Sequence, residues 1–197
     1  NSDVFGAGKI WAHTLKYNPR AAEALQNFYG RNDTLSLGVC NGCQVMMELG
    51  LIGERAPMQH NESGKFESAF VSAYVPKSES VMLSGLSGMT LPIWVAHGEG
   101  RFANLQEGSY KKVLQYAYEN YPGNPNGSPD RIAGIASVDG RHVAMMPHPE
   151  RAVLPYQWAY NPREKFASCD LEIGGKRTCK VMPWVQMFAA AHNQLAY

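Results

Sequence analysis

The sequence predicts an α/β fold, and three observations carry that expectation. A short apolar run, residues 34–39, ends at Cys40 in a turn flanked by glycines and passes directly into a helical pattern. Several later segments alternate apolar and polar residues with the period of a half-buried strand. Helix-start signals stand near both ends of the chain. Strand, sharp turn, helix and then more strands is an α/β order. At 197 residues the chain has room for one domain, and a chain of this length typically buries roughly 70% of its unfolded surface.

Taken in order, Asn18-Pro19 caps and opens a helix in which Leu25 and Phe28 form an apolar edge. Residues 34–39 form a strand. The pattern Val45-Met46-Met47-Glu48-Leu49 is helical and stops at Gly50, a good C-terminal signal. Residues 66–75, 92–96 and 113–118 are expected as strands, the second ending at His97-Gly98-Glu99-Gly100. Residues 121–129 carry three prolines and two glycines and must be a loop. Residues 132–138 and 142–146 flank Asp139-Gly140, a strong hairpin signal. Residues 152–182 show no periodicity and are expected as an irregular insertion or long loop. Pro183 opens a last helix from Trp184 to roughly Leu195.

Composition narrows the function. A net charge of +1 gives no electrostatic reason for nucleic acid or an anionic membrane as a partner. No apolar stretch approaches the ~20 residues of a membrane span. Four cysteines are too few for a disulfide scaffold and point to a reducing, cytoplasmic setting. The chain opens Asn1-Ser2-Asp3 with no initiator Met and no apolar signal core, as a piece of a longer polypeptide would.

The chemistry centres on Gly38-Val39-Cys40-Asn41-Gly42-Cys43-Gln44. Glycines two residues either side of Cys40 allow the tight strand-to-helix turn of a nucleophile elbow. A cysteine there sits at a helix N-terminus, where the dipole and unpaired N–H groups favour the thiolate. The backbone N–H of Asn41 points where an oxyanion would develop. A second segment, Met146-Pro147-His148-Pro149-Glu150, offers an imidazole base and a carboxylate to orient it.

These two segments resemble the Gly-x-Cys-x-Gly-x-Gln elbow and the His-x-Glu of class I glutamine amidotransferases. Phe5-Gly6-Ala7-Gly8-Lys9-Ile10-Trp11-Ala12, His97-Gly98-Glu99-Gly100-Arg101 and Asn124-Pro125-Asn126-Gly127-Ser128 further resemble the C-terminal glutaminase domain of phosphoribosylformylglycinamidine synthases of the large, single-chain type. The resemblance covers nearly all of residues 1–151 and returns at Pro183-Trp184. It implies a flavodoxin-like fold with a central, mostly parallel sheet over residues 1–197, cut short at its N-terminal side so that a first strand and helix are missing.

The resemblance also implies a catalytic triad of Cys40, His148 and Glu150. Gln44, His97 and Gly98 would contact glutamine, the last two through backbone atoms, and the Asn41 N–H would serve the oxyanion. Glutamine would be hydrolysed through a γ-glutamyl thioester, and the ammonia passed to synthetase domains of the same parent polypeptide. No cofactor belongs to this chain on that reading; ATP and Mg belong to the synthetase part, which amidates formylglycinamide ribonucleotide. The chain by itself is expected to turn over little glutamine.

Three rival readings stay open. Cys40-x-x-Cys43 is also a redox spacing. Cys40, Cys43, Cys169 and Cys179 could hold zinc, though the second pair has nine residues between its members, loose for a zinc knuckle. The fold could also serve as a non-catalytic interaction module. Four of the remaining histidines, His13, His60, His142 and His192, are expected on ordinary surfaces.

Overall fold

A computed structural model describes residues 6–160, 169–173 and 176–195. Helix α1 (Ala7–Tyr17) starts after Gly6, whose φ of 71° suits glycine. Helix α2 (Pro19–Gly30) begins as expected, with Asn18 Oδ1 accepting from the Arg20 and Ala21 N–H groups at 3.1 and 3.3 Å. Strand β1 (Ser36–Val39) runs into Cys40, and helix α3 (Asn41–Leu49) ends on Gly50 in the left-handed conformation. Four strands follow: β2 (Glu67–Tyr74), β3 (Thr90–His97), β4 (Lys111–Tyr116) and β5 (Ile132–Ala136). Strand β6 (His142–Met145) completes the hairpin around Asp139-Gly140. A separate hairpin pairs β7 (Cys169–Ile173) with β8 (Lys176–Val181), and helix α4 (Val185–Leu195) closes the order.

The six-stranded sheet has the order β1-β6-β5-β4-β2-β3. Its strand directions correct one expectation. Only β1–β6 is parallel, and the other four pairings are antiparallel, so the sheet is mixed rather than mostly parallel. The reason lies in the connections. Parallel neighbours need a long crossover, commonly a helix, and among the described residues α3 is the only α-helix between strands of this sheet; the link of residues 137–141 after β5 is too short to do anything but reverse the chain. A second expectation is also refined: residues 152–182, expected as irregular, contain the β7–β8 hairpin, while residues 161–168 and 174–175 lie outside the described ones.

The sheet curls. Although β3 is last in order, its Trp94 forms a bridge with His148, just beyond β6, and the His148 N–H donates to the Trp94 carbonyl at 2.8 Å. The inside of this half-barrel is filled by residues including Val95, Leu114, Val143 and Met145, and closed by Trp184, whose Nε1–H donates to Pro92 O at 2.8 Å. A second cluster packs α3 on the other face, using Met46, Met47, Ala144 and Met146. Consecutive residues of the 143–146 run therefore feed opposite layers, as a period of two requires. Among the described residues no helix is long and apolar enough to cross a membrane.

Candidate active site

Cys40 stands at the junction of β1 and α3 with φ 51° and ψ −107°, a conformation costly for a residue with a side chain. Its N–H is held by Met145 O at 2.9 Å, which extends the β1–β6 ladder one residue past Val39↔Met145. The two flanking glycines are not equivalent. A Cβ on Gly38 would run into Met46 Sδ and stand 2.8 Å from the Gly42 backbone, so α3 can cross β1 only over a glycine. A Cβ on Gly42 would meet nothing within 4 Å.

Because β1 and β6 are parallel neighbours, their C-terminal ends emerge side by side, one carrying Cys40 and the other His148. Both groups are also tied to one stretch of β3. The Cys40 thiol donates to Ala96 O at 3.4 Å, and His148 is bound through its N–H to Trp94 O. Cys40 is 3% exposed and His148 6%. Glu150 Oε1 lies 2.7 Å from His148 Nδ1. A carboxylate only accepts, so Nδ1 carries a proton, and in the neutral tautomer that this fixes the lone pair is at Nε2. Among the described atoms Nε2 has no hydrogen-bond partner although it is buried. Partial burial pushes the Glu150 carboxyl up, but the hydrogen bond and charge of His148, its own backbone N–H and Arg151 outweigh that and hold it below its ordinary range.

Asn41 is the first residue of α3, where an N–H has no intrahelical acceptor, and is buried beside Cys40. Gln44 is buried one turn on, its Nε2 donating to Glu99 O at 2.9 Å; α1 passes so close that a Cβ on Gly8 would stand 2.6 Å from Gln44 Cβ. The elbow helix thus grips the 97–100 loop.

Sequence reasoning missed what holds that loop from the other side. Asn61 Nδ2 donates to His97 O at 2.7 Å and Lys65 O at 2.9 Å, its Oδ1 accepts from Gly100 N–H at 3.1 Å, and its own N–H donates to Gly98 O at 2.8 Å. The His97 and Gly98 carbonyls, expected at the substrate, are therefore both engaged by Asn61. With the Asn61 amide so oriented, His97 must donate from Nδ1 to Oδ1 at 3.1 Å, leaving Nε2 to accept from Tyr116 Oη at a long 3.5 Å. Asn126 Nδ2 in turn donates to Tyr116 Oη at 3.1 Å and Gly100 O at 2.5 Å. Burial, with the nearby Cys43 and Cys40 sulfurs, pushes the Tyr116 phenol up, so it remains a donor. This chain joins the two strings His97–Arg101 and Asn124–Ser128, whose polar side chains serve the loop's position. Asn61 sits in an irregular stretch with no pattern to single it out, and Tyr116 reads as a core strand residue.

Cys43 is fully buried, and burial together with Cys40 pushes its thiol up. Both Cys40 and Cys43 are free thiols, and Cys43 packs into the apolar cluster beneath the elbow. The side chains of Cys169 and Cys179 lie outside the described residues; among the described ones, no group of three or more His, Cys, Asp or Glu is placed to hold a metal. His142 corrects an expectation: it is 3% exposed rather than on the surface, packed on Tyr29 and bonded through Nδ1 to Ser36 Oγ at 3.0 Å.

The chain is 41% identical over 98% of its length to phosphoribosylformylglycinamidine synthase of Homo sapiens, and 39% identical over 98% to that of Drosophila melanogaster. It spans only 16% and 15% of those relatives' length. Among solved structures, PurLQS from Thermotoga maritima superposes with a TM-score of 0.66 at 26% identity, over 96% of this chain and 72% of that one. The profile of the CobB/CobQ-like glutamine amidotransferase domain matches residues 1–195, and the chain belongs to that family.

Proposed function

We propose that the chain is the glutaminase part of a phosphoribosylformylglycinamidine synthase, with Cys40 as nucleophile. The observation that carries this is the pairing of two strand ends: Cys40 after β1, and after β6 a His148 whose Nδ1 is held by Glu150 at 2.7 Å. His148 Nε2 takes the thiol proton as sulfur attacks the side-chain carboxamide carbon of glutamine. The oxyanion is met by the Asn41 N–H at the start of α3, where the helix dipole adds to the donor. Collapse of the tetrahedral intermediate forms the γ-glutamyl thioester; the nitrogen leaves as ammonia after taking the proton from His148. Water, deprotonated by His148 Nε2, then attacks the thioester, and the proton passes from Nε2 to sulfur as glutamate is released and the thiol restored. Glu150 keeps the ring in the one tautomer that can do both.

Gln44 is placed to hold the 97–100 loop against this centre, and that loop to line the glutamine. The ammonia passes to a synthetase part of the same polypeptide, which uses ATP and Mg²⁺ to amidate formylglycinamide ribonucleotide. Free thiols at Cys40 and Cys43 suit a cytoplasmic enzyme. The test is Cys40→Ala in the longer protein that carries this chain. Amidation with glutamine should fall to background while amidation with ammonium salts continues. Equal loss of both activities, or retention of glutamine use, would overturn the assignment.

A further inference from the structure

The two edges of β2 are used differently. Along one it pairs with β3 over its whole length, from Glu67↔His97 to Tyr74↔Thr90. Along the other it pairs with β4 only at Ala73↔Tyr116 and Tyr74↔Gln115, and one further bond, from the Ala117 N–H to Ser72 O at 2.8 Å, ends the ladder. Backbone groups of successive strand residues point alternately to the two neighbours. Since Ser72 faces β4, Phe70 and Ser68 direct their N–H and C=O groups to that same side, where among the described residues they meet no backbone partner. Arg131 accounts for the early end of the ladder. Its guanidinium donates to Tyr116 O and Ala117 O at 3.4 and 3.2 Å, and so takes at Ala117 the acceptor that the Ser72 N–H would use. Asp130 and Arg131 both hold positive φ, 53° and 59°, a conformation costly for residues with side chains.

Where β4 departs, a groove of about 890 Å³ opens between residues 69–72 and the 117–123 loop. Its loop wall is aromatic. Tyr118 and Tyr121 are 65% and 62% exposed, and Tyr118 is seated so closely over Gly123 that a Cβ there would stand 2.5 Å from the tyrosine Cβ. A free edge is ordinarily blunted by lysine, proline or another charge, and Ser68-Ala69-Phe70-Val71-Ser72 has none of these. Such an edge takes an extended segment as an added strand, held by main-chain bonds and selected by the pockets for its side chains. A second copy of β2 does not fit, because it carries its own β3 on the side that the 117–123 loop occupies here. The chain spans only 16% and 15% of the relatives it matches, so most of such a polypeptide lies outside it and is available to supply the segment.

We infer that this groove receives an extended segment of the synthetase part of the same polypeptide, bonded as a strand to Ser68, Phe70 and Ser72, with an apolar side chain of that segment against Tyr118 and Tyr121. The inference rests on the reading of this chain as one part of a longer synthase, and adds to it the place where another part docks. The chemistry at Cys40 uses none of these residues, so the two readings can fail separately.

The experiment uses the full-length protein carrying this chain. The photoreactive residue p-benzoylphenylalanine replaces Tyr121, and crosslinked peptides are mapped by mass spectrometry in a mixture of isotopically light and heavy protein. The crosslink should join Tyr121 to the synthetase part of the same polypeptide. In the unmutated protein, the Phe70 amide should exchange its hydrogen at least about 100-fold more slowly than in a free peptide. Ser68→Pro removes a donor aimed at the groove and leaves the β3 ladder intact, since the β3-facing groups belong to Ala69, Val71 and Ala73. It should lower the crosslink yield and speed Phe70 exchange by at least about tenfold each, while the Val71 and Ala73 amides stay slow. If that variant fails to fold, the crosslink and the Phe70 exchange of the unmutated protein still decide the matter. No crosslink, crosslinks confined to residues 1–197 or joining light to heavy protein, or a Phe70 amide exchanging at the free-peptide rate would overturn the inference, and would leave Cys40 as nucleophile. If the full-length protein has no ammonia-dependent amidation activity, the synthase reading itself fails and takes this one with it.

Discussion

Replacing Gly38 by alanine should separate the two glycines that look alike in sequence. The added Cβ would stand 2.8 Å from the Gly42 carbonyl carbon and oxygen, short of ordinary contact by about 0.6 Å, and would meet Met46 Sδ as well. Met46 can turn aside; the Gly42 backbone, in the first turn of α3, cannot. The helix must therefore lift off β1 and carry Cys40 away from the β6 end. Overpacking of this kind costs about 1–3 kcal/mol, a fall in Tm of about 2–12 °C for a chain of this size. Since a misplacement near 1 Å can cost ~10² in rate, Cys40 alkylation by a glutamine-like diazoketone should slow at least tenfold. Gly42→Ala meets open space, and in a helix should leave Tm unchanged or raised by a few degrees. Thermal unfolding and alkylation rates of the two variants decide it. A Gly38→Ala chain that melts and reacts like the parent, or a Gly42→Ala chain that loses as much stability, would refute the packing argument.

Asn61→Ala strands three buried groups, the Gly100 N–H, the His97 carbonyl and the His97 Nδ1–H, at about 1–3 kcal/mol for each group left unmatched, so Tm should fall by at least 5 °C; a change under 1 °C would show that water replaces the side chain. His142 is driven below its ordinary value first by burial and then by Arg141, against the opposing charge of Asp139. Its contribution to stability is full above the unfolded value near 6.5 and is lost as pH falls through the depressed folded value. Unfolding followed from pH 8 to 5 should show that decline, and His142→Gln should flatten it; a parent that gains stability on acidification over this range would contradict the assignment. Glu150→Gln removes the acceptor that fixes the His148 tautomer. Glutamine-dependent turnover in the longer protein should drop about 10²- to 10⁴-fold with ammonia use retained, and a loss under fivefold would deny Glu150 that role.

Much of this was legible in the chain because it is local. Asn18-Pro19 names a cap and a first helical residue, Gly50 a helix stop, and Asp139-Gly140 a hairpin, each through backbone chemistry confined to a few residues. The elbow and the His148–Glu150 contact were legible for the same reason. Helix α1 was not read as a helix: Gly6 and Gly8 are poor helix signals, and Gly8 is needed only because α1 crosses Gln44 in the folded molecule. Strand direction was hidden too, since periodicity reveals a strand but not its neighbour. The network of Asn61, His97, Tyr116 and Asn126 spans 66 positions from its first member to its last, and no spacing rule links residues brought together only by the curl of the sheet.

The central claim is that Cys40 carries a γ-glutamyl group during turnover. Mixing the full-length protein with glutamine, quenching in acid within the first turnovers and mapping the adduct by peptide mass spectrometry tests it directly. The account predicts a hydroxylamine-labile glutamyl adduct on the peptide containing Cys40, absent in Cys40→Ala and accumulating less in Glu150→Gln. An adduct on Cys43 or elsewhere, or glutamine turnover undiminished in Cys40→Ala, would contradict it.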